Sequence, residues 1–257
     1  MDRRKFLTVG GVSLTTFLAG CSSATNEEMD GGSRGDDENG SNENKSNDSN
    51  DSSNLGDSGV EGEPSVKIGD HELIVNEGQY LTDVFVEATV ENTGDAASGT
   101  TELQVDWYDA DGNYLDNSTT WLQTLGSGET WISNVHYLGT NEEEVADYEI
   151  EGEFTEEARE FNPDGLDLVD HDMKKSEGDF PEVIIEGKVE NTRGEEISYV
   201  EAIVKFHNAD GIVMGDNWTN VTELRDGDTW SFDVSWNGRD RIPEVEDYEI
   251  LITDRSF

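Results

Sequence analysis

Four histidines and one cysteine are the imidazoles and thiol in this chain that could ligate a metal or act as a nucleophile. Two of the histidines recur in matching contexts, Asp70-His71-Glu72 and Asp170-His171-Asp172. A histidine among carboxylates can hold a divalent cation weakly, but a firm site needs further nitrogen or sulfur ligands at short spacing. Neither has a second histidine or a cysteine nearby in sequence. His71 and His171 are therefore weak metal candidates and otherwise read as surface strand residues. Asp109-Ala110-Asp111-Gly112 invites a calcium-loop reading. With its glycine at Gly112, such a loop would begin at Trp107, which cannot ligate, and end at Ser118 instead of Glu. In the strand-forming region from Pro64 on there is no Gly-x-Ser-x-Gly elbow and no phosphate-binding glycine loop. The expectation is a protein without catalytic residues, without a cofactor and without a resident metal.

Those candidates sit inside a repeat. Val90-Glu91-Asn92-Thr93 matches Val189-Glu190-Asn191-Thr192 at an offset of 99, which holds through Ala110-Asp111-Gly112 and Ala209-Asp210-Gly211. It holds again at Gly128-Glu129-Thr130-Trp131 against Gly227-Asp228-Thr229-Trp230. Asp147-Tyr148-Glu149-Ile150 matches Asp247-Tyr248-Glu249-Ile250 at 100. A period of this length is the size of a whole domain, not of a solenoid unit. In this alignment His136 falls opposite Ser235 and His207 opposite Tyr108, so no shared site uses them.

The cysteine has a different use. Residues 1–20 begin Met1-Asp2-Arg3-Arg4 and continue as an apolar stretch of about 15 residues, too short for a spanning helix, which needs about 20. Arg3-Arg4 followed by Phe6-Leu7 is a twin-arginine export pattern. Leu18-Ala19-Gly20-Cys21 resembles the lipobox of exported lipoproteins, which implies a signal peptide over 1–20 and a lipid on Cys21. The expected location is the extracellular face of the cell membrane. Residues 21–63 collapse to Ser, Asn, Asp, Gly and Glu and cannot bury enough apolar surface to offset ordering entropy. They read as a disordered tether, with an r.m.s. span of roughly 35–40 Å. Asn39, Asn44, Asn47 and Asn50 in the tether, and Asn117, Asn217 and Asn220 beyond it, are candidate N-glycosylation acceptors.

The net charge is −44, from 60 acidic and 16 basic side chains. Such a surface repels nucleic acid, which drops out as a partner. In molar salt the Debye length falls to about 3 Å and self-repulsion is screened. The acid excess resembles that of secreted proteins of halophilic archaea and reads as solvation in brine, not as a binding site.

After Pro64 the pattern is all-β. Val84, Val86, Ala88 and Val90 alternate with Phe85, Glu87 and Thr89, while Leu103, Val105 and Trp107 alternate with polar residues. Ala202, Val204 and Phe206, then Trp230, Phe232, Val234 and Trp236, repeat the pattern. Alternation predicts strands with one buried and one wetted face, as in antiparallel sheets. Hairpin signals at Asp109-Ala110-Asp111-Gly112 and Asn208-Ala209-Asp210-Gly211, with Gly taking positive φ, separate them. The expected fold is two tandem immunoglobulin-like antiparallel β-sandwiches, 64–158 and 159–257, with separate aromatic cores. Trp107, Trp131, Tyr148, Phe206, Trp230 and Tyr248 are the expected core aromatics.

Val105-Asp106-Trp107-Tyr108-Asp109, the turn after it, Gly128-Glu129-Thr130-Trp131 and Val145-Ala146-Asp147-Tyr148-Glu149-Ile150 together resemble an FxLYD domain. The second copy departs from that signature at Val204-Lys205-Phe206-His207-Asn208 and rejoins it at Val245-Glu246-Asp247-Tyr248-Glu249-Ile250. The resemblance implies an extracytoplasmic β-sandwich of prokaryotic lipoproteins, with no catalytic residues to carry over. The function expected is non-catalytic binding, adhesion or envelope structure, with the membrane reached through Cys21 and an envelope protein or glycan as partner. The alternative is a small-molecule or metal-binding lipoprotein beside a transporter.

Overall fold

The computed structural model describes residues 4–6, 8–9, 62–78, 82–157, 159–176, 178 and 181–255. Arg3, Cys21 and the four tether sequons lie outside the described residues.

Each copy contributes six strands in the same order. The first has β3 (Val66–Glu77), β4 (Thr82–Asn92), β5 (Thr101–Tyr108), β6 (Tyr114–Leu122), β7 (Thr130–His136) and β8 (Asp147–Thr155). The second has β9 (Leu166–Lys175), β10 (Val183–Asn191), β11 (Ile197–Asn208), β12 (Val213–Leu224), β13 (Thr229–Trp236) and β14 (Val245–Thr253). In the first copy β8-β5-β6 form one sheet and β7-β4-β3 the other; in the second, β14-β11-β12 and β13-β10-β9 repeat this topology. The fold is all-β and sandwich-like, as the alternation predicts. The acidic run before β8 is a short 3-10 turn, Glu142–Glu144, and a second such turn spans Arg239–Glu244.

Two short strands precede these. β1 (Arg4–Phe6) pairs antiparallel with β8, and β2 (Thr8–Val9) pairs parallel with β3. The Lys5 ammonium pairs with Glu156.

The turn chemistry follows the sequence closely. Gly112 and Gly211 have φ of 80° and 77°. Asp109 Oδ1 accepts the Asp111 and Asn113 amides, and Asn208 Oδ1 accepts those of Asp210 and Ile212. The carboxylate offered to calcium in one copy is thus an amide in the other, and both serve as turn acceptors. The Asn of each Val-Glu-Asn-Thr motif is buried. Asn92 Nδ2 donates to the Ala96 and Leu125 carbonyls, and Asn191 Nδ2 to those of Glu195 and Leu224. These side chains satisfy loop carbonyls that would otherwise be orphaned inside the protein.

Each copy has its own apolar cluster, with Trp107 central to the first and Phe206 to the second. Trp107 donates from Nε1 to Ser118 Oγ at 3.1 Å, so its polar atom is satisfied. Tyr148, Trp230 and Tyr248 are half-buried at the margins.

The copies are joined into one body. β12 meets β7 in a parallel bridge at Val213 and Trp131, so the order β14-β11-β12-β7-β4-β3-β2 runs as one sheet through both. Val213, from the second copy, packs in the first copy's apolar cluster, so the cores are contiguous at this point. Two expectations drawn from alternation do not hold. Phe85, on the face expected to be wet, is buried and lies 5.0 Å from the His136 ring. On β11, Glu201, Ile203 and Lys205 are buried as fully as the inward Ala202, Val204 and Phe206, because the seam covers the outer face of that strand.

Candidate functional site

The two recurring histidines find the same partner. His71 Nδ1 lies 2.7 Å from Tyr148 Oη, and His171 Nδ1 lies 2.7 Å from Tyr248 Oη, with the rings edge to face in both. Each pair clasps the first strand of its copy to the last. Burial lowers the His71 pKa, against the opposing pull of Asp70. Among the described residues neither histidine belongs to a group of three ligands close enough for a metal ion. Asn117, Asn217 and Asn220 are exposed.

The unmatched histidines both lie at the seam. His207, Glu129 and Glu249 place ligand atoms within 4.8 Å of one another, with Glu129 coming from the first copy. A cation already serves this trio. Lys205 Nζ sits 2.7 and 2.6 Å from the two Glu129 oxygens and 2.9 Å from Glu249. With only 3% of its side chain exposed, Lys205 fills the place a metal would take. Burial first, and the adjacent ammonium second, lower the His207 pKa. His136 Nδ1 lies 3.1 Å from Asp83 Oδ1, and Arg239, from the second copy, reaches the same oxygen at 3.1 Å.

A second buried cluster lies where the copies connect. Arg159 donates to Glu201 Oε1 at 2.6 Å and to Gln123 Oε1 at 2.8 Å, while Tyr199 donates to the other Glu201 oxygen. Burial and that carboxylate push the Tyr199 phenol up to about 12. Asp216 accepts the Gln123 amide at 2.7 Å, but burial outweighs this bond and pushes its pKa up to about 7. Sequence reading missed all of these residues. One signal was present: Glu201, Ile203 and Lys205 stand opposite Glu102, Gln104 and Asp106, so an isoleucine and a lysine replace polar and acidic residues.

Beyond the single bridge, β7 and β12 part like the arms of a fork. The Arg241 guanidinium fills its base, donating from Nη1 to the Ile132 carbonyl at 2.9 Å and the Met214 carbonyl at 3.3 Å. Above it is a cleft of about 220 Å³. The first copy contributes Trp121, Ser133, Asn134 and His136, and the second contributes Asp216 and the Trp236–Arg239 turn. Trp236 is held firmly, with its ring stacked on Phe206 at 5.3 Å and 14°. It also lies against Gly215 and Gly238, where an added Cβ would collide with the indole. Ser133 Oγ and Asn134 Oδ1 are closed to solvent and have no hydrogen-bond partner among the described residues. Each such group costs about 1–3 kcal/mol, so the fold leaves them unpaired at a loss. Arg239 has a φ of 54°, a strained conformation for a side chain with a Cβ.

No family model and no curated protein matches the chain. Among the solved structures that resemble parts of it, two illustrate the likeness. One is a red sea bream transglutaminase, 10% identical, with a TM-score of 0.20, over 65% of this chain and 27% of that one. The chain therefore spans about a quarter of the transglutaminase's length. The other is the tandem CBM22-1-CBM22-2 domain from Paenibacillus barcinonensis Xyn10C, 10% identical, with a TM-score of 0.16, over 73% of this chain and 84% of that one. At these scores neither likeness carries an argument. Among the described residues no helix is long and apolar enough to cross a membrane.

Proposed function

We propose that this chain is an extracellular lipoprotein, exported by the twin-arginine route and anchored through Cys21, whose FxLYD-like sandwiches form a non-catalytic binding or adhesion module. The observation that supports this most is the seam. Lys205 between Glu129 and Glu249, Arg159 on Glu201, and the Val213–Trp131 bridge tie two copies of one sandwich into a single platform. Buried Lys205 and Glu201 are each held by opposite charges, an arrangement suited to presenting a fixed surface.

A second reading, small-molecule binding beside a transporter, is favoured by the cleft above Arg241. Metal binding gains less support, because Lys205 occupies the trio that would provide ligands. The deciding experiment is affinity capture of the exported protein from its own envelope in high salt, with identification of what comes down. A reproducible envelope protein or glycan supports the module. A chain that brings down nothing but a transporter sinks it in favour of the second reading.

A further inference from the structure

We infer that the cleft between β7 and β12 is a binding site for one neutral sugar ring, either free or as the end of a glycan. The inference rests on the binding-module reading above and gives that module its ligand chemistry.

The two copies differ at the strand that lines this cleft. Ser133, Asn134 and His136 stand where the second copy has Phe232, Asp233 and Ser235. Phe232 is buried against Gly187, where its ring occupies the space a Cβ would need. In the first copy a serine, 1% exposed, takes that place, opposite Ala88. The first copy has therefore exchanged a phenylalanine for a small hydroxyl at the strand that lines the cleft.

The lining then selects among ligands. A cation would meet the Arg239 and Arg241 guanidinium groups, while an anion would find Arg239 already paired with Asp83 and Arg241 engaged by two backbone carbonyls. An apolar ligand would leave the Asn134 oxygen, which shares the His136 face of β7, unpaired, an arrangement that binding sites avoid. A neutral ring edged with hydroxyls suits all of these groups, because each hydroxyl both donates and accepts. The C–H faces of a pyranose stack on indoles, and Trp121 stands at the rim with 56% of its surface exposed. Trp236, its ring already stacked on Phe206, forms a fixed wall of the cleft. At about 220 Å³ the cleft is smaller than the roughly 300–1,000 Å³ of sites for drug-sized ligands, which limits it to about one ring. The polar groups come from β7, from β12 and from the turn at Arg239, so they surround a ring instead of reading one edge.

The test uses the exported protein in molar salt and follows tryptophan fluorescence during titration with glucose, galactose, mannose and N-acetylglucosamine, and with adenosine as a flat-ring comparison. Saturable quenching by at least one sugar is expected, with Kd on the order of 1 mM. Trp121→Ala, an exposed position that leaves the core intact, and Asn134→Ala should each weaken it about tenfold or abolish it. Trp218→Ala, an exposed tryptophan outside the cleft at 41%, should keep it. A glycan array separates the two sources: binding there at far lower concentration assigns the site to a glycan end, and equal affinity assigns it to the free sugar. No response to any sugar, a response to adenosine alone, or a response kept in both cleft variants overturns the inference. If envelope capture succeeds where sugars fail, the binding module stands without this ligand. If sugars bind and capture brings down nothing, the module reading fails and this one stands.

Discussion

Replacing Lys205 with methionine removes the charge at the centre of the seam while keeping the length of the side chain. The ammonium makes contacts of 2.6–2.9 Å with two glutamates, and without it those carboxylates face each other across the junction. Removing one partner of a buried pair costs about 3–5 kcal/mol. Two features place this case at the low end. Glu249 is 45% exposed and Glu129 25% exposed, and the Gly126 amide still donates to Glu129 at 2.6 Å. We therefore expect a loss of about 3 kcal/mol. For a folded body of this size that lowers the melting temperature by about 6–12 °C. The assay is urea and thermal unfolding by tryptophan fluorescence at a fixed molar salt. Adding Glu129→Gln to Lys205→Met should recover most of the loss. Millimolar divalent cation should stabilise Lys205→Met through Glu129, His207 and Glu249, and leave the parent protein unchanged. A loss below about 1 kcal/mol, or one of full size in the Glu129→Gln background, would refute the view that this lysine pins the seam.

Four further outcomes are expected. Trp131→Ala should cost about 3–5 kcal/mol and loosen both copies, since its strand partner Val213 belongs to the second, whereas half-buried Trp230 should cost less and act locally; unfolding of the first copy alone in Trp131→Ala would contradict this. Asp216 has a folded-state pKa raised to about 7, so the folded state holds its proton longer and stability should fall as pH rises from about 4 through 7. Asp216→Asn should flatten that part of the pH profile, and an unchanged profile would show that the carboxylate is solvated. The melting temperature should rise steeply from about 0.1 to 1 M salt and depend on ionic strength, not on the identity of the cation; a saturable response to one cation, abolished by His71→Ala, would restore the metal reading. Cys21→Ser should release the protein to the medium or block its processing, because stable attachment needs the lipid chains; a processed variant that stays on the membrane would end the lipoprotein reading.

The strands and turns were legible because their causes are local. Alternation at Val84–Val90, and a glycine three residues after Asp109 or Asn208, each specify a conformation without reference to the other copy. The repeat even foretold the His71–Tyr148 and His171–Tyr248 pairs in part, since all four residues recur, although nothing in the sequence said that they touch. The seam was not legible, because it depends on how one copy's β12 meets the other's β7. Its traces are the positions where the copies disagree: His136 against Ser235, His207 against Tyr108, Lys205 against Asp106, and Ser133 against Phe232. A tandem repeat whose copies touch asymmetrically must differ where they touch.

Whether the two copies behave as one body is tested most directly by calorimetry of the full chain in molar salt. A shared sheet, the buried Lys205 and Arg159 pairs, and Val213 in the first copy's core predict one transition, with calorimetric and van't Hoff enthalpies in a ratio near 1. Two separable transitions, or a ratio near 2 that Lys205→Met leaves unchanged, would show two independent sandwiches and contradict the seam on which the proposed platform depends.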